Sequence, residues 1–274
     1  MADRRFRFGV VAGQAGTPGE WIGMARRAEQ FGYDTFLIPD TRHTLAPFPA
    51  LAAVAASTST LRVGTYVLSV ANRTPAAVAW ESQTLAFLSG NRFELGVGAG
   101  RPDAEQDAAV LGVPYGDVAT RVARVVETIG AAREKGVPIL VAASRPRMLA
   151  LAAEHADTVA LGLPPSATED GLGATVTRLR DVAGDRFDDL ELHLNTAAVA
   201  ASAADVPAWV SRMVGGDPQA MAAAGGIGFL LGTPTEIAGT LRRRRDELGI
   251  SYVAVSAAFM DGLAPVAERL AGTT

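Results

Sequence analysis

Residues 89–101 read SGNRFELGVGAGR. An apolar run, Phe93 to Val97, passes directly into Gly98-Ala99-Gly100. Strong strand formers followed by residues without bulky side chains predict a buried strand that opens into a loop where something approaches the backbone closely. Just upstream, Pro75 to Leu88 reads as a helix, with Pro at its start and apolar residues at Val78, Leu85 and Leu88. A lone GxGxG run marks no more than a tight turn closing an ordinary α/β unit. Here the unit of helix, turn, buried strand and open loop recurs along the chain.

Working outward, Phe6 to Ala12 is a first strand ending at Gly13-Gln14-Ala15-Gly16, and Trp21 to Phe31 a helix stopped by Gly32. Thr35 to Ile38 is a second strand ending in Pro39-Asp40-Thr41-Arg42-His43, Pro49 to Ser57 an alanine-rich helix, and Leu61 to Val70 the third strand. After the quoted strand, Tyr115 to Glu134 reads as a long helix broken by Gly136, with strand five at Val137 to Ala142. Arg147 to His155 is a helix, Asp157 to Leu161 strand six, Ala174 to Ala183 a helix and Leu190 to Val199 strand seven. Ala203 to Ala224 reads as helical. Thr233 caps a helix to Leu248, with Pro234 first and Glu236 third, ended by Gly249. Ser251 to Val255 is strand eight, and Leu263 to Leu270 a closing helix. Eight apolar strands alternating with helices imply a parallel sheet covered on its faces, and that number favours a closed (β/α)8 TIM barrel. No linker, repeat or composition shift divides residues 1–274, so one domain is expected.

Composition narrows the function. The chain is 49% apolar and carries a net charge of −4 with both signs interspersed, so no polyanion-binding surface is advertised and no nucleic-acid partner is expected. The dense basic run Arg242 to Arg245 runs straight into Asp246 and Glu247 and reads as a solvated helix face. The absence of cysteine excludes disulfides, thiolate catalysis and cysteine-ligated metals. No apolar run is long enough for a signal peptide or a bilayer span, so a cytoplasmic protein without a membrane partner is expected. The three histidines, His43, His155 and His193, show no metal-binding spacing, and no metal is expected. His155 reads as a helix C-terminal cation and His193 as a satisfied mid-strand histidine. There is no GxSxG elbow and no P-loop.

In a (β/α)8 barrel, chemistry sits where strands end. The candidates are therefore Gln14; Asp40, Thr41 and His43; Ser69, Asn72 and Arg73; Gly98, Gly100, Arg101, Asp103 and Glu105; Ser144 and Arg145; Asn195; and Ser256. At Ala143-Ser144-Arg145-Pro146, free N–H groups, a helix N-terminus and Arg145 would make a phosphate seat. A capped helix with a solvent-facing Arg explains the same residues.

The ordered segments FRFGVV, ARRAEQFGYDTFLIPD, PFPALAAVAASTSTLRVGTYVL, LSGNRFELGVGAG, PRMLALAAEHAD, LLGTPTEI and GISYVAV resemble the luciferase-like flavin and deazaflavin oxidoreductases. The first and the PRMLALAAEHAD helix look most like the actinobacterial branch that uses coenzyme F420. The resemblance implies a flavin-like ring held in the barrel mouth. It places Asp40 beside the cofactor, and Tyr66-Val67 where the family often has a non-prolyl cis peptide behind the ring. It also sets Ser69 near the ring's polar edge, has Gly98, Ala99 and Gly100 give the ring room, and assigns the phosphate arm to Ala143, Ser144 and Arg145. Where many deazaflavin relatives carry His directly after that Asp, this chain has Thr41, with His43 two residues on. Proton delivery is thus assigned among Thr41, His43 and Gln14. The short connection from Glu134 to Val137 departs from the family's longer excursion and predicts a more open mouth. The leading expectation is an F420-dependent oxidoreductase moving hydride to or from a C=C, C=N or C=O bond of a small organic substrate. An FMN-dependent monooxygenase served by a separate reductase and a barrel without redox activity are the alternatives. Family barrels commonly pair, so a homodimer through the helices Pro49–Ser57 and Pro75–Leu88 is expected.

Overall fold

The computed structural model describes residues 4–101 and 104–270. In chain order the elements are β1 (Arg7–Val11), α1 (Pro18–Gln30), β2 (Thr35–Ile38), α2 (Pro47–Ser57), β3 (Arg62–Thr65), β4 (Leu68–Ser69), α3 (Pro75–Leu88) and β5 (Phe93–Gly98). Next come α4 (Ala104–Val110), α5 (Val118–Arg133), β6 (Ile139–Ala143), α6 (Pro146–His155), β7 (Thr158–Leu161), α7 (Glu169–Ala183), β8 (Glu191–Thr196) and β9 (Ala198–Ala200). The chain closes with α8 (Ser211–Val214), α9 (Pro218–Ala223), β10 (Phe229–Leu231), α10 (Pro234–Leu248), β11 (Ile250–Ser256) and α11 (Met260–Leu270).

All ladders of the main sheet are parallel, in the order β3-β2-β1-β11-β8-β7-β6-β5-β4, and the β3–β5 pairing closes it. Since β3 and β4 are two halves of one strand, the result is an eight-stranded barrel. Its first and last strands pair with each other, Arg7 opposite Tyr252.

Two cores follow from the alternation of side chains along each strand. Outward residues such as Phe8, Phe36, Val63, Leu95 and Val141 pack under the helices. Inward residues Leu37, Leu140, Ala160, Tyr252 and Ala254 fill the barrel, with Val11, Tyr66, Val67 and Ala142 above them. The lower end is charged: Arg7 bridges Glu191 at 2.6 Å and Glu94 at 2.8 Å, and the Tyr252 hydroxyl donates to Glu94 at 3.0 Å.

Capping chemistry sets the helix ends. Thr233 and Glu236 form a reciprocal capping box with Pro234 at the first position, and Gly249, at φ 81°, supplies the left-handed turn that ends α10. Arg244 does not lie on a solvated face as expected; it is buried and holds Glu169 at 2.7 Å, tying α10 to α7.

Other expectations change as well. The third strand is interrupted at a cis Tyr66–Val67 bond. The seventh splits at Ala197 into β8 and β9, and β9 leaves the barrel to pair with β10. Residues 203–224 form short 3-10 turns, α8 and α9 rather than one helix, because Pro207 and Pro218 lack a donor and Gly215 turns left-handed at φ 72°. The α4 helix was not foreseen, and Asp103 lies outside the described residues. The short connection before β6 runs from a helix end to a strand start, at the lower end of the barrel. It borders a cleft of about 420 Å³ there, with Arg7, Glu94 and Pro138, and has no bearing on the mouth. Among the described residues no helix is long and apolar enough to cross a membrane.

Glu29 shows how a helix end is bound to the next strand. Its Oε1 accepts from the N–H groups of Ser59 (2.8 Å), Thr60 (2.6 Å) and Leu61 (3.0 Å), and from the Thr60 hydroxyl (3.0 Å). Burial alone would raise its pKa, but the donors outweigh it and bring it down to about 2. A carboxylate whose folded pKa is lowered contributes stability fully above its unfolded value, and that contribution is lost as pH falls towards 2. Glu29→Gln is therefore expected to cost about 1–2 kcal/mol at pH 7, after solvent screening of a half-exposed group. Urea unfolding at pH 7 and at pH 2.5 checks this: the gap between wild type and variant should narrow at the lower pH.

Candidate active site

The quoted stretch meets the broken third strand at close range. Val63 pairs with Phe93 and Gly64 with Glu94, but Leu68 pairs with Val97 and Ser69 with Gly98. Between the two registers the third strand gains one residue, a bulge that coincides with the cis bond. Thr65 repairs the ladder there: its hydroxyl donates to the Gly96 carbonyl at 2.7 Å and accepts from the Gly96 N–H at 2.9 Å. A side chain on Gly96 would put its Cβ 2.0 Å from the Thr65 carbonyl oxygen. At Gly98 a Cβ would lie 2.9 Å from Val67, and at Gly100, with φ 91°, 3.1 Å from the Ser69 hydroxyl. The close approach expected at this loop is thus made first by the protein's own bulged strand.

Above the bulge opens a cavity of about 700 Å³ at the C-terminal ends of β2, β4, β5 and β6. It gathers Asp40, Thr41, Tyr66, Val67, Ser69, Gly98, Ala99, Gly100, Ala143, Ser144 and Arg145 in one wall. Every residue proposed for cofactor contact is among them. Gln14 and His43 are not: they border a neighbouring cleft of about 490 Å³ with Arg42 and Leu45, and Gln14 donates to the His43 carbonyl. The reason is the tight turn at 41–44. Thr44 N–H bonds the Thr41 carbonyl at 3.0 Å, His43 N–H bonds the Thr41 hydroxyl at 3.2 Å, and Leu45 N–H bonds Gly13 at 2.9 Å. Thr41 is left facing the cavity while His43 is carried past its edge into solvent.

Asp40 is 9% exposed and carries its charge by a built arrangement. Its Oδ2 accepts from the Ser69 N–H at 3.0 Å, from Arg73 Nη1 at 2.6 Å and weakly from Asn72 Nδ2 at 3.5 Å. Arg73 in turn approaches Glu81 at 3.8 Å. Burial pushes the Glu81 carboxyl upward, opposed by Arg73 and assisted by Asp40. Asn72 and Arg73 therefore stand behind Asp40. The Ser69 hydroxyl is buried without a partner.

At the far wall, α6 begins with Arg145 as its N-cap residue, not Ser144, and no side chain caps it. Pro146 has no N–H to offer, so the N–H groups of Arg147 and Met148 are the uncapped donors, and both residues border the cavity. Arg121, which sequence reasoning missed, is aimed by its bonds to the carbonyls of Ala99 (3.0 Å) and Gly116 (2.7 Å), with Tyr115 under its guanidinium at 4.1 Å. Its legible signal was position: the first turn of a helix that follows a strand-end loop lies at the mouth of a barrel. Arg101, Arg121, Arg145 and Arg147 all border the cavity, whereas Asp40 is already paired. Glu105 lies on an exposed face of α4, and Asn195 and Ser256 are absent from the cavity wall. Among the described residues no group of three or more acidic or histidine side chains is placed to hold a metal.

A buried carboxylate that loses its cation is costly. Arg73→Leu is expected to destabilise the fold by about 2–3 kcal/mol, since Arg73 is partly exposed. Adding Asp40→Asn should recover part of it, because an amide needs no counter-charge. Urea unfolding of both variants checks this; a double mutant no better than Arg73→Leu alone would remove the ion pair as the cause.

The profile of the luciferase-like monooxygenase family matches residues 5–134. The F420-dependent glucose-6-phosphate dehydrogenase of Beutenbergia cavernae is 37% identical over 121 residues, which cover 41% of this chain and 35% of that protein. The match thus spans about a third of that relative's length. The coenzyme F420-dependent tetrahydromethanopterin reductase of Methanopyrus kandleri superposes with a TM-score of 0.75 at 15% identity, covering 98% of this chain and 99% of that one. A riboflavin lyase solved with modified FMN and riboflavin superposes with a TM-score of 0.76 at 15% identity, covering 98% and 93%. Both structural likenesses concern the fold. Over residues 5–134 the chain is similar to the luciferase-like monooxygenases, and F420-dependent enzymes are among the proteins it is similar to.

Proposed function

We propose that the protein is an F420-dependent oxidoreductase acting on a small organic substrate with a C=C, C=N or C=O bond. The observation that carries this reading is the polarity of the cavity. Its floor is apolar (Val67, Leu68, Ala142), while the guanidinium groups of Arg121, Arg145 and Arg147 and the uncapped end of α6 border it, and Asp40, the one carboxylate bordering it among the described residues, is paired from behind by Arg73. Such a site fits a flat ring carrying an anionic arm. The unpartnered Ser69 hydroxyl beside Gly98 and Gly100 suits a polar ring edge. The bound deazaflavin would supply the hydride chemistry. The chain's part is to seat the ring on Val67 and Leu68, to hold the arm with Arg145, Arg147 and the α6 amides, and to present the Thr41 hydroxyl. Of the three residues nominated for proton delivery, Thr41 alone borders the cavity.

Charge-assisted contacts to an anion are individually worth roughly 1.5–3 kcal/mol. Arg145→Glu is therefore expected to weaken binding of F420 and of FMN by about tenfold or more, with little change in melting temperature because Arg145 is an exposed loop residue. Titration by fluorescence quenching checks it. Equal affinities would move the phosphate seat elsewhere; a wild type binding only FMN would favour the monooxygenase alternative, and one binding neither would favour a barrel without redox activity.

We also propose a homodimer through α2 and α3. Trp80, Phe87 and Leu88 are 74%, 82% and 58% exposed on one face of α3, beside a groove of about 330 Å³ lined by Phe48, Ala52, Thr84 and Leu85. Knob and groove on one face suit a two-fold, self-complementary contact. Light scattering should give a dimer for wild type and a monomer for Trp80→Glu; a monomeric wild type at micromolar concentration would refute this.

A further inference from the structure

A column of rings runs up the barrel axis to the underside of the cavity. At its base the Arg7 guanidinium lies 4.2 Å from the centre of the Tyr252 ring, and the Tyr252 hydroxyl is bonded to Glu94. His193 packs on Tyr252 with ring centres 4.5 Å apart at 89°, and on Tyr66 with centres 4.8 Å apart at 49°. Tyr66 ends the column in the cavity wall. His193 is not the satisfied strand histidine that its sequence position suggests: it is fully buried, and neither ring nitrogen has a partner. Tyr66 itself is partly exposed where it meets the cavity. A buried donor left unbonded costs free energy unless a ligand completes it, and a site residue is where such a cost persists.

We infer that His193 is a positioning residue: packed beneath Tyr66, it holds that ring so that the Tyr66 hydroxyl serves as a hydrogen-bond donor to a carbonyl-bearing ring bound in the cavity. This rests on the proposed function and names the contact that would orient the ring. Two features make the column suited to the task. Its base is fixed by charge, through Arg7, Glu94 and Glu191. Its middle stays uncharged, because burial, and then repulsion from Arg7, lower the His193 pKa to about 3. Burial also keeps the Tyr66 phenol protonated by raising its pKa. A phenol that is able to donate, rather than a phenolate, is therefore offered.

The experiment uses wild type, Tyr66→Phe, His193→Ala and His193→Phe, with FMN, riboflavin and F420 as probes. Affinity is read by fluorescence quenching, together with the absorption maximum of the bound ring. Tyr66→Phe should weaken riboflavin and FMN by the same factor, about three- to tenfold, and shift the absorption maximum, since the lost contact is to the ring and not to the phosphate. His193→Ala should reproduce both changes, and His193→Phe, which restores a ring under Tyr66, should reverse most of them. Unchanged affinity and absorption in Tyr66→Phe would overturn the inference, as would equal losses in His193→Ala and His193→Phe. If His193→Ala fails to fold, the Tyr66→Phe result decides, provided its melting temperature matches wild type. A wild type that binds no probe would sink the proposed function as well. Loss of ring binding in Arg145→Glu alone would sink this inference and leave that reading standing.

Discussion

The crossing of β5 with the bulged third strand sets the position of everything above it. Gly96 and Thr65 approach so closely that any side chain at Gly96 would overlap the Thr65 carbonyl. The Thr65 hydroxyl substitutes for the missing ladder bonds on both sides. This contact carries the strand's extra residue, turns Tyr66 and Val67 into the cavity and brings Ser69 opposite Gly98. A protein interior is too densely packed to accommodate even one methyl group there without displacing the strand.

Charge is distributed along the barrel axis in opposite senses. The lower end holds Arg7, Arg62, Glu94 and Glu191 in mutual contact, so the acids and bases neutralise each other. At the upper end Asp40 is neutralised from behind by Arg73, and arginines remain around the opening. Arg121, Arg145 and Arg147 border that opening, even though the chain as a whole carries −4. Net charge describes the whole surface and says nothing about one cavity.

The site also illustrates how a loop chooses between two nearby residues. Thr41 and His43 are two positions apart, and both are able to serve in proton delivery. The turn that bonds Thr41 to Thr44 and anchors Leu45 to Gly13 sends them to different clefts. In a relative with His directly after the aspartate, the imidazole would occupy the position that Thr41 takes here.

By itself the sequence determined the barrel, most of its strands and helices, and a part of the cavity lining, from Asp40 to Arg145. Those are properties of local pattern: apolar strands, capped helices such as Thr233 to Leu248, and strand ends that a parallel barrel brings to one face. The ordered resemblance pointed to a cis bond at Tyr66–Val67, which the structure contains. What remained for the tertiary structure was whatever depends on residues distant in the chain. Arg244 is buried because Glu169 waits 75 positions away. Residues 203–224 break into turns around their prolines and glycines, and β9 leaves the barrel for β10. Gln14 and His43 are excluded by a turn whose anchors lie on another strand's loop. His193 lies between Tyr66 and Tyr252 because residues far apart in the chain converge on the barrel axis. Periodicity records which side chains turn inward; only the closed barrel decides which of them meet.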